Sequence, residues 1–153
     1  ATRLRKAWGG VDYKSCDIDR SHTHNFYDIS EVVGEYDLVC GLEVIEHLDL
    51  TAALVMVETC FARTKPGGRL VLTTPNIFYP PAFLRDATHV TPFCHDELGA
   101  LMRLAGYEVS AIYRLHHDAL LKKFLKRVIL YPMYLALGID FAHQILVVGQ
   151  KPA

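Results

Sequence analysis

The stretch YDLVCGLEVIEHL, residues 36–48, restricts the possible folds of this chain more than any other segment. Its first half is an apolar run closed by Gly41, which is typical of a strand buried on both faces in a parallel sheet. Three polar residues, Glu43, Glu46 and His47, follow where that strand would end. Ligands of open α/β sheets bind outside the carboxyl ends of the strands, so these residues are candidates for a site. The alternative is that they only open the next helix, where the dipole favours acidic groups.

Hydrophobic periodicity predicts an alternation of strands and helices along the chain. The predicted strands cover residues 11–19, 24–29, 36–41, 69–75, 107–115 and 143–152. The predicted helices cover residues 51–65, a segment from the N-cap Asp96 to the stop at Gly106, and residues 118–137. Pro132 should break or kink the last of these helices.

Residues 76–95 form a long predicted loop, rich in proline and aromatic residues and without a regular period. A loop of that length in a compact domain is usually functional. It follows the strand 69–75, so it should lie on the side of the sheet where ligands bind. We expect its aromatic side chains to exclude water from a pocket, with His89 facing the reacting groups.

Length, charge and cysteine content limit the class of protein. The 153 residues suit one domain, and the formal net charge of −1 gives no basic surface for nucleic acid. The cysteines, which form no Cys-x-x-Cys pair, are expected to be reduced and mostly buried, as in a cytoplasmic protein; they are Cys16, Cys40, Cys60 and Cys94. The first ten residues do not resemble a signal peptide, and the missing initial Met suggests a fragment.

In this order, the segments VDYKSCDID, YDI, YDLVCGLEVIEHL, KPGGRLVLTTPN, ELGALMRLAGYEV and HQILVVGQKP resemble the class I S-adenosylmethionine-dependent methyltransferases, in particular a small-molecule and glycan-type group. The resemblance implies an α/β, Rossmann-like, mostly parallel sheet whose final strand is antiparallel. It also implies a single methyltransferase-like domain over residues 1–153 that is incomplete at its N-terminus. The family's first strand and glycine-rich loop would precede residue 1, and WGG at residues 8–10 is no substitute.

The same resemblance implies residues that bind S-adenosylmethionine. Asp17, with Asp19 as the second choice, would accept hydrogen bonds from the ribose hydroxyls, and Asp28 would accept one from the adenine amino group. Ile29 would stack near the adenine. Cys40, Gly41 and Leu42 would pass the methionine end, with Gly41 allowing a close backbone approach. For both Asp17 and Asp28 the alternative is a purely structural Asx turn.

The implied reaction is methyl transfer to an oxygen or nitrogen of a small-molecule or glycan-type acceptor. A hydroxyl acceptor must lose its proton, and the candidate bases are His89, His47 and Glu43, in that order of preference. We expect no metal site, because the histidine pairs 22/24 and 116/117 have no further ligands nearby in the sequence.

Two other functions stay open. One is a catalytically inactive, methyltransferase-like interaction module, suggested by the missing glycine-rich loop and by residues 118–137. That apolar and basic segment is too short to span a membrane, and core packing is favoured for it over a peripheral membrane contact or a dimer contact. The other is a dehydrogenase, which the reversed closing pair of strands argues against.

Overall fold

The computed structural model describes residues 10–153. Trp8 and Gly9 of the WGG motif lie outside this range. The chain divides into two compact units, residues 1–34 and residues 35–153. Each is described by itself below.

In the first unit, two short segments meet side by side. A single parallel bridge pairs Cys16 with Phe26, and the amide of Asp17 donates to the carbonyl of Phe26 at 3.2 Å. The strands predicted at residues 11–19 and 24–29 are therefore wrong in extent. A 3₁₀ turn, Ile29–Glu31, follows, and the Asp28 side chain caps it.

The second unit is built around a four-stranded sheet with the order β1-β2-β4-β3. Its strands are β1 (Tyr36–Leu42), β2 (Thr64–Pro75), β3 (Glu108–Leu115) and β4 (Gln144–Gln150). β1 is parallel to β2, whereas β4 is antiparallel to both β2 and β3. Three strands therefore share one direction and the last is reversed, which confirms the predicted fold class.

Helices follow three of these strands. They are α1 (Leu50–Arg63), α2 (Pro80–Leu84), α3 (His95–Leu104), α4 (Leu120–Phe124) and α5 (Tyr131–Leu137), with a π-helical turn at Leu125–Ile129. The short α2 lies in the segment 76–95, which was predicted as a loop without a period. The predicted N-cap Asp96 is also wrong, because Cys94 is the N-cap of α3 and its amide bonds to the Glu97 carboxylate.

The core lies between the sheet and the helices α1 and α3. β2 contributes Leu70 and Leu72, and β4 contributes Val147, all three fully buried. α1 begins at the N-cap Asp49, whose side chain accepts from the amide of Ala52 at 2.8 Å. This packing holds the carboxyl end of β1 next to that of β2.

The segment 118–137 does not pack in the core as expected. It is broken near Pro132 as predicted, but none of the residues in its three helical turns is buried. Leu120 is 85% exposed and Leu121 is 80% exposed. Its role as a contact surface stays a prediction. Within residues 10–153, no helix is both long and apolar enough to cross a membrane.

The cysteines also depart from the expectation. All four are free thiols, but only Cys60 is buried; Cys16 and Cys40 are exposed and Cys94 is partly exposed.

Candidate functional site

The candidate site begins where β1 ends. Glu43 has a φ of 54°, a left-handed conformation that is unusual for a residue other than glycine. Its amide donates to the carbonyl and the hydroxyl oxygen of Thr73 on β2. A 3₁₀ turn, Ile45–His47, follows, and α1 begins only at Leu50. The three polar residues therefore lie before the helix and do not open it.

The 3₁₀ turn is held against the far end of the long segment 76–95. The amides of Val90 and Thr91 both donate to the carbonyl of Glu46, at 2.7 and 3.0 Å. The Thr91 hydroxyl donates to the carbonyl of Leu48. These three bonds bring His89 to the end of β1. That His89 faces the reacting groups stays a prediction.

Each of the two histidines at this junction has its Nδ1 next to groups that accept hydrogen bonds. Nδ1 of His89 lies 2.7 Å from the carbonyl oxygen of Phe83. Nδ1 of His47 lies 3.2 Å from the carbonyl oxygen of Thr88 and 3.0 Å from its hydroxyl oxygen. That hydroxyl gives its own proton to Asp86, so it too accepts from His47. Both Nδ1 atoms therefore carry a proton, and in the neutral rings the lone pair is on Nε2.

Glu46 is fully buried, and within residues 10–153 nothing donates a hydrogen bond to either of its carboxylate oxygens. The Thr74 hydroxyl interacts with it weakly, outside hydrogen-bond geometry. Burial raises the pKa of Glu46, and the nearby Glu43 carboxylate raises it further, whereas the Glu46 backbone amide and His47 lower it in part. Glu43 also has one buried oxygen without a partner. The strand end thus places two carboxyl groups close together, with three buried oxygen atoms that have no hydrogen-bond partner among the described residues.

Glu46, His47 and His89 form one cluster. Nε2 of His89 lies 4.0 Å from Oε1 of Glu46, and the ring centroids of His47 and His89 are 4.9 Å apart. One potential ligand atom from each residue lies within 4.8 Å of the others. The sequence named these residues only as separate candidates. The cluster can accept a proton at an imidazole or bind a cation.

The residues predicted at the methionine end of the cofactor have different environments. Cys40 and Leu42 are exposed on β1. A Cβ at Gly41 would meet Leu72 Cδ2 at 2.8 Å, so packing against the core already requires glycine there. The structure thus explains Gly41 without any close approach by a cofactor.

In the first unit, Asp17 and Asp28 follow the two segments joined by the parallel bridge, and both side chains are exposed. Asp17 accepts from the amide of Asp19, and Asp28 accepts from the amide and hydroxyl of Ser30, as the Asx-turn alternative predicted. Ile29 is half-buried beside them. The roles of Asp17, Asp28 and Ile29 in binding a cofactor stay predictions.

The aromatic residues of the segment 76–95 divide between packing and exposure. Phe93 is 2% exposed and belongs to the core. The Phe83 ring lies 4.9 Å from the His89 ring, and the Tyr79 ring lies 5.4 Å from the His143 ring. Phe78 is 40% exposed. Phe83 is thus the aromatic residue of this segment in contact with the cluster.

The sheet of the second unit agrees with a comparison with protein families. Residues 4–112 match the model of a methyltransferase domain family. The chain belongs to this family. The resemblance to class I S-adenosylmethionine-dependent methyltransferases is thereby confirmed.

Individual relatives agree with this assignment. The chain is 33% identical over 109 residues to a protein named ubiquinone biosynthesis O-methyltransferase from Pseudomonas aeruginosa, covering 61% of this chain and 46% of that protein. It is 38% identical over 89 residues to a probable S-adenosylmethionine-dependent methyltransferase from Mycolicibacterium smegmatis, covering 54% of this chain and 33% of that protein. The chain therefore spans about half or less of the length of these relatives.

The fold also matches a solved structure. A SAM-dependent methyltransferase from Archaeoglobus fulgidus superposes with a TM-score of 0.77 at 20% identity, covering 98% of this chain and 80% of that one. At this identity the likeness concerns the fold. It places all four strands of the second unit within a methyltransferase-like architecture.

Proposed function

We propose that the protein transfers a methyl group from S-adenosylmethionine to an oxygen or nitrogen of a small-molecule or glycan-type acceptor. The observation that carries this proposal is the cluster of Glu46, His47 and His89 at the carboxyl end of β1, in a chain of the methyltransferase family. Relatives of the chain are named methyltransferases, and the relative from Pseudomonas aeruginosa is named an O-methyltransferase. An inactive interaction module is not favoured, because it leaves this cluster without a role.

The cofactor supplies a methyl group on a positively charged sulfur, which a nucleophile attacks in line. In this chain, Asp17 would hold the ribose hydroxyls and Asp28 the adenine amino group, with Ile29 against the ring. Cys40, Gly41 and Leu42 would lie along the methionine part. These residues bind and orient, and correct orientation is itself a large part of the rate enhancement in a two-reactant displacement.

A neutral Nε2 at the cluster is the group best suited to accept the acceptor's proton. His89 is the first choice, because its Nδ1 proton is fixed by the Phe83 carbonyl and its ring is packed against Phe83. The side chain of His89 is only 7% exposed, so bulk water competes little for Nε2. His47 and Glu43 are the alternatives in the same place. A positioned base typically contributes about 10²- to 10⁴-fold.

The experiment separates cofactor binding from turnover. Calorimetry with S-adenosylhomocysteine should show binding to the wild type and at least about tenfold weaker binding to Asp17→Ala, since hydrogen bonds to charged groups contribute about 1.5 to 3 kcal/mol. His89→Ala should bind S-adenosylhomocysteine like the wild type but lower kcat by about 10² or more on an acceptor that the wild type methylates. His117→Ala, which removes an exposed imidazole of the same unit, is the matched control.

Equal affinity in the wild type and Asp17→Ala would remove Asp17 from the cofactor site. Unchanged turnover in His89→Ala would move the base to His47 or Glu43. A protein that binds neither S-adenosylmethionine nor its product would support the inactive module instead.

A further inference from the structure

The geometry points to a binding site for one divalent first-row transition-metal ion, held by the Glu46 carboxylate and by Nε2 of His47 and of His89. The three side chains come from the 3₁₀ turn after β1 and from the end of the segment 76–95. This site goes beyond the proposed function and does not depend on it.

The first argument is the buried carboxylate. An ionised group out of contact with water needs compensation by a partner charge, by hydrogen bonds or by a metal. Glu46 is fully buried and has no hydrogen bond to either oxygen within the described chain. The nearest basic group is Nε2 of His89 at 4.0 Å, which is beyond hydrogen-bond distance. A cation between them would compensate the carboxylate.

The second argument is the orientation of the imidazoles. Histidines that ligate metals almost always donate their other ring N–H to a carbonyl or carboxylate, which fixes the tautomer and the direction of the lone pair. Both histidines of this cluster do so through Nδ1, His89 to the carbonyl of Phe83 and His47 to the carbonyl and hydroxyl of Thr88. Two independent imidazoles thus make the hydrogen bonds through Nδ1 that are expected of metal ligands bound through Nε2.

The third argument is distance. Ligand atoms around a tetrahedral ion with bonds of about 2.1 Å are about 3.4 Å apart. The potential ligand atoms of this cluster lie within 4.8 Å of one another, so each would move by roughly 1 Å or less to bind an ion. Side-chain rotation alone supplies movements of that size. The backbone bonds from Val90 and Thr91 to Glu46 keep the two segments together meanwhile.

The chemistry of the donors selects the class of metal. Imidazole nitrogen suits zinc, cobalt, nickel, iron and copper, whereas calcium and magnesium prefer oxygen ligands. Two imidazoles and one carboxylate leave coordination positions open for other ligands. We therefore expect cobalt or zinc to bind more tightly than calcium.

One consequence rests on the proposed function. Imidazoles that hold a metal cannot also serve as free bases. An acceptor hydroxyl bound at an open position would instead lose its proton more readily because the cation lowers its pKa. Binding of the metal alone is independent of this consequence, so the two ideas can fail separately.

The test measures the metal by itself, without cofactor or acceptor. Untagged protein stripped with a chelator is titrated with Co²⁺ and followed by visible absorption, and with Zn²⁺ followed by calorimetry. We expect one ion per chain, with Ca²⁺ binding at least about 100-fold more weakly. Glu46→Gln and His89→Ala should each weaken Co²⁺ binding at least about tenfold, because loss of even a second-shell partner costs about 10- to 100-fold.

His117→Ala is the control, since it removes an exposed imidazole that lies near His143 rather than in the cluster. His47→Gln is the second ligand variant, chosen because this side chain is only half-buried and its replacement is tolerated more easily than a core change. Absence of a Co²⁺ spectrum in the wild type would overturn the site. So would binding that survives in Glu46→Gln and His47→Gln, or that is lost only in His117→Ala.

Discussion

Replacement of Tyr107 by phenylalanine tests how much a buried chain of hydrogen bonds stabilises the core. The Tyr107 hydroxyl has one partner in that chain. Tyr107 is 2% exposed, and its hydroxyl lies 2.7 Å from Oγ1 of Thr64. Thr64 donates its own proton to the carbonyl of Cys60, so Tyr107 is the donor in the first bond. Tyr107→Phe removes that donor and leaves the second bond intact.

The change in the free energy of unfolding follows from the loss of one neutral hydrogen bond and from the ionisation of the tyrosine in the unfolded state. At pH 7 the lost bond should lower the free energy of unfolding by about 0.5 to 1.5 kcal/mol. Burial raises the pKa of Tyr107 far above its usual value. A group with a raised folded-state pKa contributes stability that is present below the unfolded-state pKa, about 10, and is lost as pH rises toward the folded-state pKa.

At pH 11 the unfolded tyrosine therefore gains about 1.4 kcal/mol by ionising, while the folded one stays protonated. Phenylalanine has no such ionisation. The wild type should thus be more stable than Tyr107→Phe at pH 7, and at pH 11 this difference should be smaller by about 1.4 kcal/mol, so that it falls to zero or changes sign.

Urea unfolding followed by circular dichroism at pH 7, 10 and 11 measures this difference directly. Tyr113→Phe, at a side chain that is 55% exposed, is the matched control and should change stability little at any of these pH values. A difference between the wild type and Tyr107→Phe that is the same at pH 7 and pH 11 would refute the reasoning.

Two further predictions concern the packing and the surface of the second unit. Gly149→Ala should lower the free energy of unfolding by about 1 to 3 kcal/mol, because its Cβ would lie 2.6 Å from Met102 Cε and 3.0 Å from Tyr107 Cβ; thermal unfolding checks this against Gly99→Ala, whose Cβ has ordinary contacts and should stabilise α3. Residues 118–137 combine exposed leucines with exposed Lys122 and Arg127, so the protein should sediment with vesicles containing anionic lipid and less with neutral vesicles. Dimerisation in ultracentrifugation without vesicle binding would assign that surface to a second copy instead.

The order of elements could be predicted from the sequence because each strand of the sheet has its own periodic signal. β1, β2, β3 and β4 all contain apolar runs bounded by glycine, proline or polar residues, and three of them lie close to the predicted bounds. β2 begins at Thr64 rather than at residue 69, so the predicted helix 51–65 ends two residues too late. The two strands predicted in the first unit were too long, because their periodic signals cover only a few residues each. Residues 11–29 form one bridge, and alternation over a few residues is common without a sheet to extend it.

Burial of the segment 118–137 could not be predicted, because an apolar stripe at helical spacing indicates amphipathicity but not what covers it. Leu120 and Leu121 have the composition of core residues and are nevertheless exposed. The N-cap of α3 was missed because Cys94 is an uncommon N-cap, although Glu97 at the third helical position was a visible capping-box signal.

The cluster itself depends on contacts between distant parts of the chain. The sequence placed Glu46 and His47 beside each other and named His89 separately, but no periodicity relates the end of β1 to the end of the segment 76–95. The link is two amides that share one acceptor, the carbonyl of Glu46. Backbone hydrogen bonds between two irregular segments leave no pattern in side-chain types, so the cluster could be found only in the structure.

Two features at the end of β1 lower the stability of the fold, which indicates that these residues serve function rather than stability. A left-handed φ at Glu43 costs about 1 to 3 kcal/mol, and Glu46 adds a buried carboxylate without a hydrogen bond. Local conflicts in an otherwise consistent fold are expected where a ligand resolves them. A cation bound to Glu46 would compensate the buried charge, so the local instability and the proposed metal site have one physical explanation.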